Sequence, residues 1–244
     1  MIRLIIVLLF VILFLLVSLI LIPAGYIIGI FSRPARDRYA QAMISWAFSV
    51  VGFLAGAKVT VRDKDRIPKD EAVLYVANHR GMFDIVLLYA QMFRATAIVA
   101  KKEIKMVPIL SWWMVLMRCR FMDRADLKQS LQVILGCIED AKNGISILIY
   151  PEGTRSTGES ELDMNPFKEG SFKIALKSGV KIVPVAIHGT REVFERQFPR
   201  IRANSVTISY GTPIDPTLLD KEEQKHIAEI CQEQIRNMLL KEQT

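Results

Sequence analysis

The chain has 244 residues, 51% of them hydrophobic and 23% charged, with a formal net charge of +7. That length suits one catalytic domain with an N-terminal appendage, and the basic balance suits an anionic membrane surface, a phosphorylated substrate or nucleic acid. Nucleic acid is the weakest of the three, because no basic run is interleaved with stacking aromatics and no finger or basic-leucine spacing is present. Three scattered cysteines (Cys119, Cys137, Cys231) and three histidines (His79, His188, His226) point to a reducing compartment and away from a disulfide framework, a zinc site or a histidine-rich metal site. No metal or cofactor is expected.

Leu4 to Ile22 is apolar throughout except for Ser18. A retained membrane segment fits this better than a cleaved signal, whose apolar part is shorter and ends at a small-residue cleavage site. Arg33, Arg36 and Arg38 follow the segment and only Arg3 precedes it, a bias that puts the rest of the chain on the cytoplasmic face. Ala40 to Ala57, with Trp46, Phe48 and Phe53, reads as an interfacial helix or as a core helix of the globular part. A hairpin in one leaflet and a single spanning helix both remain open. The boundary is drawn at 57: residues 1–57 form a membrane-associated helical segment and 58–244 a catalytic domain.

From Lys58 the pattern changes. Strands are predicted over Val59–Val61, Val73–Ala77, Ala95–Ala100, Arg120–Met122, Ile145–Tyr150, Val180–His188 and Val206–Tyr210. Helices are predicted over Asp84–Arg94, Asp126–Lys142, Gly170–Ser178 and Lys221–Leu240. In the second of these Leu127, Leu131, Ile134, Leu135 and Ile138 recur at helical spacing. Ile109 to Met117, with Trp112 and Trp113, reads as core or as lipid-facing. The alternation predicts an α/β fold, a largely parallel sheet covered by helices.

Two polar blocks interrupt this pattern at strand ends. In Asn78-His79-Arg80-Gly81-Met82-Phe83-Asp84 the histidine sits where a strand hands over to a helix. Residues five apart do not share a helical face, so His79 and Asp84 meet only if His79 lies on the loop and Asp84 on the first turn, with Gly81 supplying the bend. A carboxylate on one imidazole nitrogen leaves the other free to take a proton. Alone, the pair also reads as a capping Asn78 with an incidental His79. In Tyr150-Pro151-Glu152-Gly153-Thr154-Arg155-Ser156, Gly153 permits close backbone approach and Arg155 offers a planar fork suited to phosphate. Glu152 either holds Arg155 or accepts a hydrogen bond from a substrate hydroxyl. A surface turn with one ion pair is the plainer reading. Polar turns at strand ends of one sheet are expected on the same edge.

These blocks, with Phe121-Met122-Asp123-Arg124 and Val183-Pro184-Val185, resemble in order the four blocks of the glycerolipid acyltransferase family, in particular its bacterial-type 1-acyl-sn-glycerol-3-phosphate acyltransferases. The resemblance runs from about Val59 to Tyr210, and the apolar N-terminus resembles that group too. Met122 departs from it, standing where the family has a smaller aliphatic residue.

The resemblance implies an O-acyltransferase that makes phosphatidic acid from lysophosphatidic acid, with acyl-CoA or acyl carrier protein as donor. His79 is then the general base and Asp84 its partner, and transfer is direct because no serine or cysteine nucleophile accompanies them. The thioester oxygen would meet a backbone N–H near the helix after Gly81. Glu152, Gly153, Thr154 and Arg155 would bind the acceptor. Arg124, Lys101 and, more weakly, Lys168 are further candidates for anionic groups. Within the class, an enzyme using glycerol 3-phosphate or another lysophospholipid is the alternative. From another class, it is a membrane-bound lipid-binding protein without turnover. A hydrolase would need a Gly-x-Ser-x-Gly elbow or a metal constellation that the sequence lacks.

Overall fold

The computed structural model describes residues 1–242. In chain order the elements are α1 (Ile2–Phe31), α2 (Arg33–Ala55), β1 (Ala57–Arg62), β2 (Val73–Ala77), α3 (Met82–Tyr89), β3 (Thr96–Lys101), α4 (Leu110–Leu116), β4 (Arg120–Met122), α5 (Leu127–Lys142), β5 (Ser146–Ile149), α6 (Lys173–Ser178), β6 (Lys181–His188), β7 (Asn204–Tyr210), α7 (Lys221–Lys225) and α8 (Ile227–Leu240). They form two compact units. The first comprises Met1–Val59, Gly81–Phe121 and Gly189–Val206, and the second Thr60–Arg80, Met122–His188 and the chain from Thr207 onward. These units follow tertiary contacts, whereas the boundary at 57 followed a change of composition; Ala57 opens β1.

The first unit is built on a helical hairpin. At 30 residues α1 is about 45 Å long by the rise of an α-helix, more than a bilayer's hydrocarbon core requires. It is long and apolar enough to cross a membrane. It runs through Pro23. Ser32 then caps α2 by accepting from the Ala35 amide, and Pro34 lies in the first turn. The Arg33–Arg38 run that follows α1 is therefore the first part of α2. Small residues let the helices close up: a Cβ on Gly25 would lie 2.7 Å from Leu116 Cδ2 of α4, and one on Gly52 equally near Leu87 Cδ2 of α3. The far side of α2 packs on α3, with Gln41 Oε1 accepting from the Tyr89 hydroxyl (2.6 Å) and the Thr96 amide (3.1 Å). The core-helix reading of this segment thus describes one face of α2. Trp46 and Phe53 on the other are exposed.

The second unit holds strands in the order β7-β6-β2-β5. β2 pairs parallel with β5 and with β6, while β6 pairs antiparallel with β7. Every residue of β2 and β5 is buried, which explains why both read as continuous apolar runs. α8 packs on β6, and α6 on β2 and α5. The buried side of α5 is Val133, Ile134, Cys137, Ile138 and Ala141, whereas Leu127, Leu131 and Leu135 are exposed. Helical spacing identified the helix, but all three of its leucines lie on the exposed face. The closing helix divides at His226 into α7 and α8.

Candidate active site

Register positions the site. β2 and β5 are parallel with Val76 opposite Ile149, so both chains leave the sheet at the same edge, and three residues on His79 comes level with Glu152. The His79 amide donates to Glu152 Oε1 at 2.6 Å, and the Ser156 amide donates back to the His79 carbonyl at 2.8 Å. The two polar turns are laced together through the main chain of His79. On the other side Asn78, 1% exposed, clasps β6 with its side-chain amide: Nδ2 donates to the Ile187 carbonyl (2.9 Å) and Oδ1 accepts from the Ile187 amide (2.8 Å). The exit of β2 is thus held from both neighbours, and the imidazole is presented at the strand edge against the Tyr150 ring, centroids 4.4 Å apart.

Glu152 is 3% exposed. Its second oxygen accepts from the Asn165 amide at 2.7 Å. A carboxylate buried on two backbone amides is a clamp: it gains charge-assisted hydrogen bonds and fixes the loops that carry them. Gly153 has φ +75°, a left-handed conformation that side chains disfavour. A Cβ there would meet Lys168 Nζ at 2.7 Å, so the Lys168 ammonium lies over this turn. Thr154 and Arg155 are exposed beyond it, as is Arg124 after β4. His79, Glu152, Gly153, Thr154, Arg155 and Lys168 are therefore gathered at one strand edge of the second unit.

Asp84 and Lys101 belong to the first unit. Asp84, 1% exposed, lies in the first turn of α3, where its carboxylate accepts from the Gly81 amide (2.7 Å) and from the Thr190 hydroxyl. Lys101 ends β3, exposed and 3.3 Å from Glu103. One expectation changes here. Gly81 has φ −154°, extended backbone open to any residue; what favours glycine is Glu195, whose Oε2 would lie 2.6 Å from a Cβ. Of the amides at the start of α3, Gly81 N–H is committed to Asp84 and Met82 N–H to Glu195 Oε1 (2.7 Å).

Sequence reasoning missed Arg80, Thr190 and Glu195. Arg80, 3% exposed, donates to the Ser160 and Gly158 carbonyls (2.7 Å to the latter) and lies 3.3 Å from the Glu161 carboxylate, so it holds the loop after Arg155. Its place between His79 and Gly81 was visible; its burial was not. The cysteines stand apart from this chemistry. All three are buried, and burial pushes the Cys119 thiol up to about 12 and raises that of Cys231.

The family model described as Acyltransferase matches residues 58–188. Among curated proteins, the 1-acyl-sn-glycerol-3-phosphate acyltransferase of Borreliella burgdorferi is 29% identical over 198 residues, which cover 81% of this chain and 78% of that protein. The protein of that name from Saccharomyces cerevisiae is 29% identical over 193 residues, covering 79% of this chain but only 63% of its own length. The crystal structure of the 1-acyl-sn-glycerophosphate acyltransferase PlsC from Thermotoga maritima superimposes with a TM-score of 0.77 at 25% identity, covering 99% of this chain and 98% of that one.

Proposed function

The chain belongs to the acyltransferase family, and from that premise we propose that it transfers a fatty acyl group from an acyl thioester to the free hydroxyl of 1-acyl-glycerol 3-phosphate, giving phosphatidic acid. The names of relatives that align over most of this chain support the choice of acceptor. The observation that carries the reading is the double tie between the His79 backbone and the Glu152–Ser156 turn. It supports reading His79 as a base and Arg155 as an anion-binding cation that serve one small molecule.

In this reading the His79 imidazole takes the hydroxyl proton as that oxygen attacks the thioester carbonyl. The new C–O bond forms a tetrahedral oxyanion. Its collapse breaks the C–S bond, and the leaving thiolate recovers the proton from the imidazolium. Asp84, held by Gly81 and Thr190, is the carboxylate that orients and stabilises the imidazolium. Glu152 acts through the His79 backbone. Arg155 receives the acceptor phosphate as a guanidinium fork, on the turn made by Gly153 and Thr154. Lys168, Arg124 and Lys101 supply further positive charge for the acceptor or donor. Direct transfer agrees with the burial of all three cysteines and the raised thiols of Cys119 and Cys231. The donor is acyl-CoA or acyl carrier protein.

α1 holds the enzyme in the membrane where acceptor and product reside. The catalytic part faces the cytoplasm, a placement supported by free cysteines and the Arg33–Arg38 run. The test is an acyl-transfer assay of the full chain in phospholipid vesicles, with acyl-CoA or acyl carrier protein and a panel of acceptors. Fast turnover is expected with 1-acyl-glycerol 3-phosphate and slow turnover with glycerol 3-phosphate or unphosphorylated 1-acylglycerol. Equal use of the unphosphorylated acceptor removes the phosphate role of Arg155. Binding of lysophosphatidic acid without turnover of any acceptor makes this a lipid-binding protein.

A further inference from the structure

The exposed side of α4 and the turn before it take no part in the chemistry above. Met106 (84% exposed), Val107 (46%), Leu110 (37%), Trp112 (48%) and Val115 (52%) present a run of apolar side chains, a cluster that marks a contact surface more often than a solvated one. The opposite side of α4 says what that surface meets. Trp113, 1% exposed, donates its indole N–H to Ser18 Oγ of α1 at 2.8 Å and stacks on Phe14 of α1 at 6.0 Å. Leu116 fills the notch left by Gly25 of α1. α4 is therefore fixed along the helix that is long and apolar enough to cross a bilayer, and α1 exposes Leu9, Leu13, Leu16 and Ile20 around it.

The segment is also held rigidly and flanked by charge. Ile109 (φ 62°) and Arg118 (φ 60°) bracket α4 in left-handed backbone conformations, which a β-branched residue such as isoleucine adopts only when its surroundings enforce it. Arg118 Nε donates to Asp37 Oδ2 of α2 at 2.9 Å. Ahead of α4, the turn Lys102–Met106 carries Lys102 and Lys105, exposed and next to Lys101. Its charge stays positive with Glu103 ionised. Lysines followed by an exposed tryptophan among aliphatic side chains match the layering of a membrane interface, with phosphates outside and acyl chains beneath.

We propose that Lys102–Leu116 is a second membrane-contact element, beside α1, that docks on a phospholipid bilayer containing anionic lipid. Lys102 and Lys105 meet lipid phosphates while Met106, Leu110, Trp112 and Val115 enter the acyl-chain boundary. This rests on the reading of α1 as a membrane helix. It adds that the first unit is oriented at the surface by two elements, which restrains its tilt where one helix would leave it free to swing.

Single cysteines at Met106, Trp112 and Val115, all exposed positions, can carry nitroxide labels in the full chain because the native cysteines are buried. Labels at Leu13 on α1 and at Lys225 on α7 serve as lipid and water references. In vesicles of phosphatidylcholine and phosphatidylglycerol, collision with oxygen against a water-soluble nickel chelate reads depth. The three labels are expected about 5–10 Å inside the headgroup boundary. If they match Lys225 while Leu13 reports lipid, α4 faces water or a protein partner and the proposal fails with the membrane reading intact. If Leu13 also reports water, both fall. Unchanged depth on replacing phosphatidylglycerol by phosphatidylcholine overturns the anionic-lipid role of the lysines.

Discussion

His79→Ala leaves the ties at the β2 exit in place, since the bonds to Glu152 and from Ser156 both run through main-chain atoms of residue 79. The expected result is loss of kcat by about 10²–10⁴-fold with unchanged circular dichroism; retained turnover would exclude the imidazole as base. Arg155→Ala tests the other end of the acceptor. Losing a charged hydrogen bond worth about 1.5–3 kcal/mol should raise KM for 1-acyl-glycerol 3-phosphate about tenfold to hundredfold and leave KM for the unphosphorylated acceptor alone. Glu152→Gln is subtler. Both carboxylate oxygens accept from backbone amides, so glutamine sets an N–H against an N–H on one side, at about 1–3 kcal/mol. Stability and kcat should fall together, with little change in acceptor KM if Glu152 works through His79; a pure KM effect would make it a substrate ligand instead. The residue types and the order of the two blocks were legible in the sequence because each follows a buried strand. The Glu152 clamp was not, because it depends on the register of β2 against β5. Nor was the contact at Gly81: the carboxylate that lies against its bare backbone comes from Glu195, which also binds an amide 113 residues away in sequence.

At the scale of elements, Ser18 shows how a polar residue in an apolar run can be structural. Its hydroxyl donates to the Phe14 carbonyl one turn back and accepts the Trp113 indole N–H, and the residue is fully buried. Ser18→Ala leaves that N–H without its acceptor, a cost of about 1–3 kcal/mol. The protein should melt earlier in detergent, with Trp113 emission shifted to the red; an unchanged midpoint would mean that α4 is not held by this bond. α1 was readable because an uninterrupted apolar run has few alternatives. The start of α2 was missed although Ser32 followed by Pro34 is a helix-start signal, because the arginines after it invited reading as a flank. For Ile109–Met117 core and lipid contact were rival readings, and α4 divides them: Trp113 is buried and its neighbour Trp112 is not. Composition alone gives no such division, since a short helix with apolar residues on every side carries no phase.

For the whole molecule, the buried acids set an alkaline limit. Burial pushes the Cys119 thiol up to about 12 and raises Cys231, Tyr210 and Tyr89, the last also through Cys119. These groups stay neutral in the folded chain at pH values where the unfolded chain has released its protons. Below an ordinary thiol pKa of about 8.5 both states hold the proton and stability is untouched. Above it the unfolded state binds fewer protons than the native state, so stability falls as pH rises, by about 1.4 kcal/mol per pH unit for each buried thiol until its folded pKa is reached. Denaturation in detergent should therefore give a flat midpoint from pH 7 to 8 and a steep decline above pH 9, and Cys119→Ala should make the decline shallower. The same burial makes a kinetic prediction at pH 8, where the raised Cys119 thiol keeps its proton and none of the three thiols is exposed. Alkylating reagents should leave turnover intact in the folded enzyme and inactivate it only as denaturant opens the core. Inactivation in step with labelling of the native protein would put a thiolate into the reaction and replace direct transfer by an acyl-enzyme.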